Sequence, residues 1–324
     1  MCTAITYSAS GHYFGRNLDY EHSFSEKIVI TSRNFPLVMK NTDDISSHFS
    51  LIGMGVVSNS FPLYFDAVNE KGLSMAGLLF PHFSYYHPPK KDKVNVASFE
   101  FIPYILSRCE SVLDAKKLME NINITDEHFS AEFPPSPLHW IIADKNECAV
   151  AESTKDGLSV YDNPVGVLTN APPFPSQMFN LGNYINLSPD FCENEFSGKT
   201  SLPHFSRGLG AVGLPGDLSS QSRFVRASFT KLNSPYPDEE QKCVNQFFHI
   251  LESVYQTRGS VITEKGELEL TQYSSCINAD KGIYYYKTYD NSSLNAVSLS
   301  DKNLDADVLY TFDLVRDWRV NFQS

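Results

Sequence analysis

Short segments of alternating β-branched and aromatic residues fill the first third of the chain and restrict its possible folds most strongly. They predict five strands, at 3–8, 13–20, 27–32, 49–57 and 73–80. Asn69, Lys71 and Gly72 supply a hairpin turn before the last of these strands. Strands joined by short turns pair antiparallel, because a parallel pair needs a long crossover connection. The sequence therefore predicts antiparallel sheets.

Helical spacing interrupts these strand blocks at a few places later in the chain. A helix is predicted after Ser111, with this serine as its N-cap, and two more near 222–232 and 244–254. Strand patterns return at 138–170, and a hairpin is predicted over 270–291. Blocks of strands with separate helices favour an α+β fold in which helices cover antiparallel sheets.

No linker divides the chain, so we expect one domain over residues 1–324. The Pro-, Gly- and Ser-rich stretch 188–220 is interpreted as an excursion within that domain. The Pro-rich segment 81–93 has no period, which predicts a long surface loop near a cleft.

Charge and composition exclude several classes of partner. Lys and Arg number 26 against 38 Asp and Glu, a net charge of −12 with no basic run, so a nucleic-acid partner is not expected. No apolar segment reaches the roughly 20 residues that cross a bilayer, and the start does not resemble a signal peptide. We expect a cytoplasmic protein without a membrane partner. The six cysteines are scattered and phosphate-binding glycine motifs are absent, so neither metal nor organic cofactor is expected.

Cys2 is the residue with the most distinctive chemistry. Removal of Met1, which a small second residue favours, would leave a thiol and a free α-amine on one residue. The α-amine has a reference pKa of about 7.7–8.0, so it can relay a proton near neutral pH without a histidine. An N-terminal nucleophile of this kind combines nucleophile and base in one residue. A cysteine after Met is also common without any function.

Arg16 and Asp19 lie on the second predicted strand. A hairpin around Ser10 and Gly11 would bring both side chains beside Cys2. A cation there lowers the thiol pKa, and a carboxylate orients the amine. The alternative is a solvated surface pair.

Several longer motifs resemble one known family. They are MCTAIT, FGRNLDYE, NEKGLSMAGL, PLHWIIAD, DNPVGVLTN, GLPGDLSSQSRFVRA, FFHIL and KGIYYYKTYDN. In this order they are similar to the choloylglycine hydrolases, which include bile salt hydrolases and penicillin V acylases. The resemblance implies an N-terminal nucleophile hydrolase fold with four αββα layers, in which two stacked antiparallel sheets lie between helix layers. It also implies hydrolysis of a linear amide and a homotetramer.

The same resemblance implies roles for individual residues. Cys2 would be nucleophile and base, Arg16 the cation beside its sulfur, and Asp19 the carboxylate that holds the α-amine. Asn170 would face the oxyanion, and Arg223 would complete the polar network. From the residues alone, Asn170 reads as a turn residue, and Arg223 and Arg226 read as solvated.

Leu79 stands where the family commonly has Asn, or Tyr in penicillin V acylases, near the oxyanion. Leucine has no side-chain donor, which predicts weaker activity or other amide substrates. We expect Leu18, Phe129 and Phe133 to line an apolar acyl pocket, although ordinary core or surface positions are the alternative. His139 lies in an apolar strand, where a core histidine is expected rather than a base.

Conjugated bile salts with glycine or taurine are the substrates that the resemblance favours. A penicillin V acylase, an N-acyl homoserine lactone acylase and a catalytically weak binding homologue are the alternatives.

Overall fold

Two antiparallel sheets lie face to face between layers of helices. The computed structural model describes residues 1–320 and 322–323. In that part of the chain one sheet has seven strands and the other eight, and a third, two-stranded sheet is parallel. This is the α+β, αββα arrangement that the sequence patterns and the resemblance predicted.

The strands follow the alternating segments of the sequence. In chain order they are β1 (Cys2–Ser8), β2 (His12–Tyr20), β3 (Lys27–Thr31), β4 (Leu51–Ser58), β5 (Phe61–Asn69), β6 (Ser74–Leu79), β7 (Val94–Ala97), β8 (Ile122–Thr125), β9 (Leu138–Ala143), β10 (Cys148–Thr154), β11 (Gly157–Asp162), β12 (Val167–Leu168), β13 (Val261–Ile262), β14 (Leu268–Asn278), β15 (Ile283–Thr288), β16 (Asn295–Ser298) and β17 (Leu309–Asp313).

The helices are short and few. They are α1 (Phe101–Leu106), α2 (Val112–Met119), α3 (Phe174–Leu181), α4 (Ser220–Leu232) and α5 (Glu240–Glu252). The Ser111 side chain accepts a hydrogen bond from the Asp114 main-chain N–H and caps α2, as its sequence predicted. Among the described residues, no helix combines the length and apolar character that crossing a bilayer requires.

The first sheet has the order β12-β1-β2-β14-β15-β16, with β13 added beside β14. The second has the order β11-β10-β9-β6-β5-β4-β3-β17. In the first sheet, α4 contacts β1 and β12, and α5 contacts β1, β2 and β14. In the second sheet, α1 contacts β5 and β6. The N-terminal strand β1 is therefore an interior strand of its sheet, covered by helices on one face and by the second sheet on the other.

Residue alternation along the second sheet divides its side chains between two cores. Ile28 and Ile30 face the first sheet, and Val29 between them packs with α1 and α2. Successive side chains of a strand point to opposite faces, so a sheet covered on both sides must be apolar on both. This explains why nearly all of β1 and β2 is buried.

Candidate active site

The β1–β2 hairpin fixes the surroundings of Cys2. Cys2 pairs with Leu18 across the two strands, and Ala4 pairs with Arg16. The Asp19 main-chain N–H donates to the Met1 carbonyl at 2.9 Å. The structure therefore brings Cys2, Arg16 and Asp19 to one end of the hairpin, and Cys2 and Asp19 are almost completely buried.

The N-terminal ammonium of Met1 has two partners. It donates to the Asp19 main-chain oxygen at 2.6 Å and to Glu269 Oε1 at 2.8 Å. The Cys2 main-chain N–H donates to Asn170 Oδ1 at 2.9 Å. With Met1 in place, the polar contact of the Cys2 nitrogen is therefore with Asn170 and not with the Asp19 carboxylate.

Arg16 crosses from the first sheet to the second and is 1% exposed. Its Nη1 donates to the Phe65 and Gly77 carbonyl oxygens at 3.1 and 2.6 Å. Burial lowers the pKa of Arg16, but the charges of Cys2, Tyr273 and Asp66 outweigh it and raise that pKa overall. Arg16 therefore stays a cation beside the Cys2 side chain.

Asp66 lies beneath Arg16 as a buried carboxylate. It accepts hydrogen bonds from the Tyr273 and Tyr284 hydroxyls at 2.7 and 2.6 Å. Burial raises the pKa of Asp66, while Arg16 and the two hydroxyls act in the opposite direction. Sequence reasoning missed this group, because Asp66 and its tyrosines lie in different sheets and more than 200 residues apart.

Arg223 joins Cys2 to Asn170. Its guanidinium donates to the Cys2 carbonyl oxygen, to Thr3 Oγ1 at 2.7 Å and to Asn170 Oδ1 at 2.7 Å. It is completely buried, and burial lowers its pKa against the charges of Asp19 and Cys2. Arg226, one helical turn later, is only partly buried and donates to the Gly216 and Asp217 carbonyls. Of Arg223 and Arg226, only Arg223 therefore hydrogen-bonds to Cys2 and Asn170.

The Asp19 carboxylate faces the interior. Oδ1 accepts from Thr271 Oγ1 at 2.6 Å, and Oδ2 has no hydrogen-bond partner among the described residues. Burial raises the pKa of Asp19, opposed by the charges of Arg223 and the N-terminal ammonium. The amine and this carboxylate are thus electrostatically coupled without a direct hydrogen bond.

Leu79 contributes its main-chain carbonyl to the site as a hydrogen-bond acceptor and its side chain to the pocket wall. The Leu79 carbonyl accepts from Asn170 Nδ2 at 2.7 Å. This bond uses one of the two Nδ2 hydrogens, so the second can serve another acceptor.

A predominantly apolar pocket of about 190 Å³ opens beside Cys2. Leu18, Leu79, Phe129 and Phe133 all line it together with Cys2 and Arg16. Phe129 packs edge-on against Phe133, with ring centroids 6.2 Å apart. The segment 81–93 is irregular, as predicted, and none of its residues lines this pocket. It does lie beside the pocket, because the Tyr86 hydroxyl donates to the Ser136 carbonyl at 2.6 Å and accepts from the Leu138 main-chain N–H at 2.8 Å, and both of these residues line the pocket.

Metal ligands are not grouped in the part of the chain described here. His, Cys, Asp and Glu side chains form no cluster that could hold a metal ion there. A buried thiol, two buried guanidiniums and an apolar pocket define the chemistry of the site. This combination suits acyl transfer from an apolar acyl group to sulfur.

The fold and this site define an N-terminal nucleophile hydrolase class of protein. A sequence profile described as linear amide C–N hydrolases, choloylglycine hydrolase family, matches residues 2–312. The chain belongs to this family.

Curated relatives agree with the family. The chain is 51% identical over 314 residues to a protein named bile salt hydrolase/transferase from Lactiplantibacillus plantarum, covering 97% of each. It is 37% identical to a protein of the same name from Clostridium perfringens, covering 99% of each. Full-length similarity at this level supports family membership over the whole chain.

Solved structures agree with the fold. A mutant of conjugated bile acid hydrolase from Clostridium perfringens superposes with a TM-score of 0.93 at 36% identity, covering 99% of each chain. Penicillin V acylase from Agrobacterium tumefaciens superposes with a TM-score of 0.75 at 17% identity, covering 96% of this chain and 91% of that one. The second likeness concerns the fold alone.

Proposed function

We propose that the protein hydrolyses the amide bond of glycine- or taurine-conjugated bile salts, with Cys2 as its N-terminal nucleophile. The observation that carries this proposal is the meeting of three features at one point: the Cys2 thiol, the buried Arg16 cation and the mouth of an apolar pocket. Relatives named bile salt hydrolases or conjugated bile acid hydrolases support the substrate class.

Removal of Met1 is the first step of the proposal. It frees the Cys2 α-amine beside Asn170 Oδ1 and within the field of the buried Asp19 carboxylate. In the reacting enzyme this amine takes the thiol proton, and Arg16 stabilises the resulting thiolate. Asp19 offsets the charge of the ammonium that forms.

Acyl transfer follows. The thiolate attacks the amide carbonyl, and the developing oxyanion is held by the free Nδ2 hydrogen of Asn170 and by a main-chain N–H. The tetrahedral intermediate then collapses to a thioester as its C–N bond breaks. The ammonium of Cys2 protonates the leaving amine of glycine or taurine. Arg223 keeps Asn170 and the Cys2 carbonyl in register through its hydrogen bonds to both.

Hydrolysis of the thioester completes the cycle. The α-amine takes a proton from water, the hydroxide attacks the thioester carbonyl, and the thiolate leaves. Leu18, Phe129 and Phe133 hold the apolar acyl group throughout. The proposed mechanism requires no metal or organic cofactor.

Amine release from three substrates tests the proposal. The full chain is incubated with glycocholate, taurocholate and penicillin V, and the released amine is quantified after mass spectrometry has determined whether Met1 is present. We expect release from the conjugated bile salts, a mature mass without Met1, and iodoacetamide labelling of Cys2 before the other cysteines. Cys2→Ala should abolish release.

Cys192→Ala is the matched control, because Cys192 is a free and partly exposed cysteine that lies outside the pocket. It should retain full activity. Hydrolysis of penicillin V alone would redirect the proposal to the acylase branch, a possibility that Leu79 favours. Full activity with Met1 retained, or after alkylation of Cys2, would exclude the mechanism.

The molecular context is part of the proposal. We propose one domain over residues 1–324 that assembles as a homotetramer in the cytoplasm. Six free cysteines suit a reducing compartment. The exposed apolar side chains of the stretch 179–212 suit contacts between copies of the chain.

A further inference from the structure

We infer that His139 and Glu152 share one proton and together act as positioning residues that hold Asn170. This role rests on the proposed function of Asn170 at the oxyanion. Both side chains are completely buried and neither lines the pocket. His139 lies on β9, and Glu152 lies opposite it on β10.

The two side chains bracket the turn that carries Asn170. His139 Nε2 lies 3.0 Å from the Thr169 carbonyl oxygen, immediately before Asn170. Glu152 Oε1 accepts from the Phe174 main-chain N–H at 2.9 Å, at the other end of the turn. His139 Nδ1 lies 3.0 Å from the same Oε1, so the pair connects residue 169 to residue 174.

Hydrogen-bond counting fixes the protons of this pair. A carbonyl oxygen only accepts, so His139 Nε2 must carry a hydrogen toward Thr169. A neutral imidazole then presents a lone pair at Nδ1, directly opposite an oxygen of Glu152. Two lone pairs at this separation repel each other, and a buried polar pair without its hydrogen bond is costly. One proton therefore lies between Nδ1 and Oε1, and the pair is neutral overall.

The His139 ring also supports the opposite side of the site. It stacks on Phe80, with ring centroids 4.4 Å apart and planes 6° from parallel. Phe80 follows Leu79, whose carbonyl accepts from Asn170 Nδ2. His139 thus contacts the neighbours of both Leu79 and Asn170, which are the two ends of that hydrogen bond.

Other contacts hold the Asn170 main chain but not the turn as a whole. Ser220 Oγ accepts from the Asn170 N–H at 2.9 Å, and Gln177 Nε2 donates to the Asn170 carbonyl at 3.2 Å. These bonds come from α4 and α3, on the side of the first sheet. Within the described residues, and apart from the Asn170–Leu79 hydrogen bond itself, the His139–Glu152 pair provides the hydrogen bonds that tie this turn to the second sheet, where Leu79 lies. Its loss should disturb the distance between Asn170 and Leu79 without unfolding the chain.

NMR of the imidazole nitrogens tests the proton directly. In protein labelled with ¹⁵N-histidine, His139 should show a hydrogen at Nε2 and a solvent-protected downfield proton shared between Nδ1 and Glu152. The signal is assigned by its loss in His139→Gln, and it should also disappear in Glu152→Gln. If the wild-type spectrum shows that Nδ1 of His139 carries no hydrogen, the inference is overturned, whatever the activity of the enzyme.

Kinetics with glycocholate test the positioning role. We expect His139→Leu to lower kcat by about tenfold or more with KM within about threefold, because the oxyanion contact matters in the transition state. His139→Gln keeps a donor that can reach the Thr169 carbonyl and should recover part of the lost kcat. A failed assay in the wild type would instead argue against the proposed function.

His48→Leu is the matched control. His48 is also buried, and its ring nitrogens lie 2.7 and 2.8 Å from the Phe49 and Phe35 carbonyl oxygens, away from the pocket. It should lower the melting temperature as His139→Leu does while kcat stays within about twofold. Equal losses of kcat in the two variants would reduce His139 to a structural residue and overturn its positioning role.

Discussion

Individual buried charges decide what this site can do. Arg16 and Arg223 each lose nearly all contact with water, and each recovers hydrogen bonds to main-chain oxygens. An isolated buried cation is costly, so these arginines depend on their carboxylate and thiol neighbours for compensation. The sequence indicated Arg16 and Arg223 through motifs. It could not indicate Asp66, because no local pattern distinguishes a buried aspartate in a strand from a turn residue.

Leu79→Asn tests the departure of this chain from its family. An amide at position 79 can donate to the oxyanion, so we expect a rise in kcat for conjugated bile salts of about tenfold or more. The effect should fall on kcat more than on KM, because the charge exists only in the transition state. Steady-state kinetics with glycocholate measure both constants.

Leu138→Asn is the control for that substitution. Leu138 pairs with Leu79 across β6 and β9 and lines the same pocket. It should raise KM through lost apolar contact without raising kcat. If Leu79→Asn behaves like Leu138→Asn, Leu79 is an acyl-pocket residue only.

Secondary structure was predictable wherever the period of the sequence was clear. The predicted strands at 3–8, 13–20 and 27–32 agree with β1, β2 and β3 within one residue at each end. Several elements were missed, and for three of them the physical reason is clear. All six residues of α1 are buried, so it has no amphipathic period, and β5 contains Pro62 and the buried Asp66. β17 was also missed, because its half-exposed residues form an edge strand beside β3.

Close approach of strands sets the tolerance of the first sheet to substitution. A Cβ at Gly15 of β2 would lie 2.1 Å from the Ser275 carbonyl oxygen of β14, and this backbone atom cannot move freely. Gly15→Ala should therefore lower the free energy of unfolding by about 1–3 kcal/mol, measured by urea denaturation. Gly198→Ala, where nothing lies within 4 Å, should have little effect. If both variants lose the same free energy of unfolding, β2 and β14 can move apart at Gly15 without destabilising the fold.

The turn before α4 carries a pH-dependent contribution to stability. Hydrogen bonds from Ser219 and Ser222 lower the pKa of Asp217 from 3.8 to about 2. A carboxyl with a lower pKa in the folded state stabilises the fold above pH 4, and that stability is lost as the pH falls toward 2.

Asp217→Asn should therefore melt below the wild type at pH 6, with the difference shrinking as the pH falls through the range between 4 and 2. Thermal unfolding followed by circular dichroism measures this. The control is Asp156→Asn, since the exposed Asp156 carboxylate accepts no hydrogen bond among the described residues. If the difference in melting temperature does not change with pH, the effect of Asp217→Asn does not arise from the charge of the carboxylate.

The whole molecule explains why the site could not be assembled from local patterns. Cys2, Arg16 and Asp19 come from one hairpin, so hairpin chemistry alone brought them together. Asn170 and Arg223 reach them across the first sheet and from α4, and Leu79 and Asp66 come from the second sheet. These contacts follow from the stacking of two sheets, which strand periodicity does not determine. Family motifs indicated Asn170 and Arg223, whereas the His139–Glu152 pair became visible only in the structure.

Assembly is the property that belongs to the whole molecule. Between residues 179 and 212 several large apolar side chains are exposed, among them Phe179, Ile185, Phe196 and Phe205, each more than 80% exposed. Large exposed apolar side chains in one stretch of chain suit burial against symmetric copies. We expect the protein to have the mass of a tetramer in light scattering after gel filtration, and Phe196→Ser with Phe205→Ser to yield smaller species. Leu113→Ser on α2, an exposed leucine in the other helix layer, should leave the mass unchanged. A wild-type monomer, or a double variant that keeps the tetramer mass, would remove this surface from assembly.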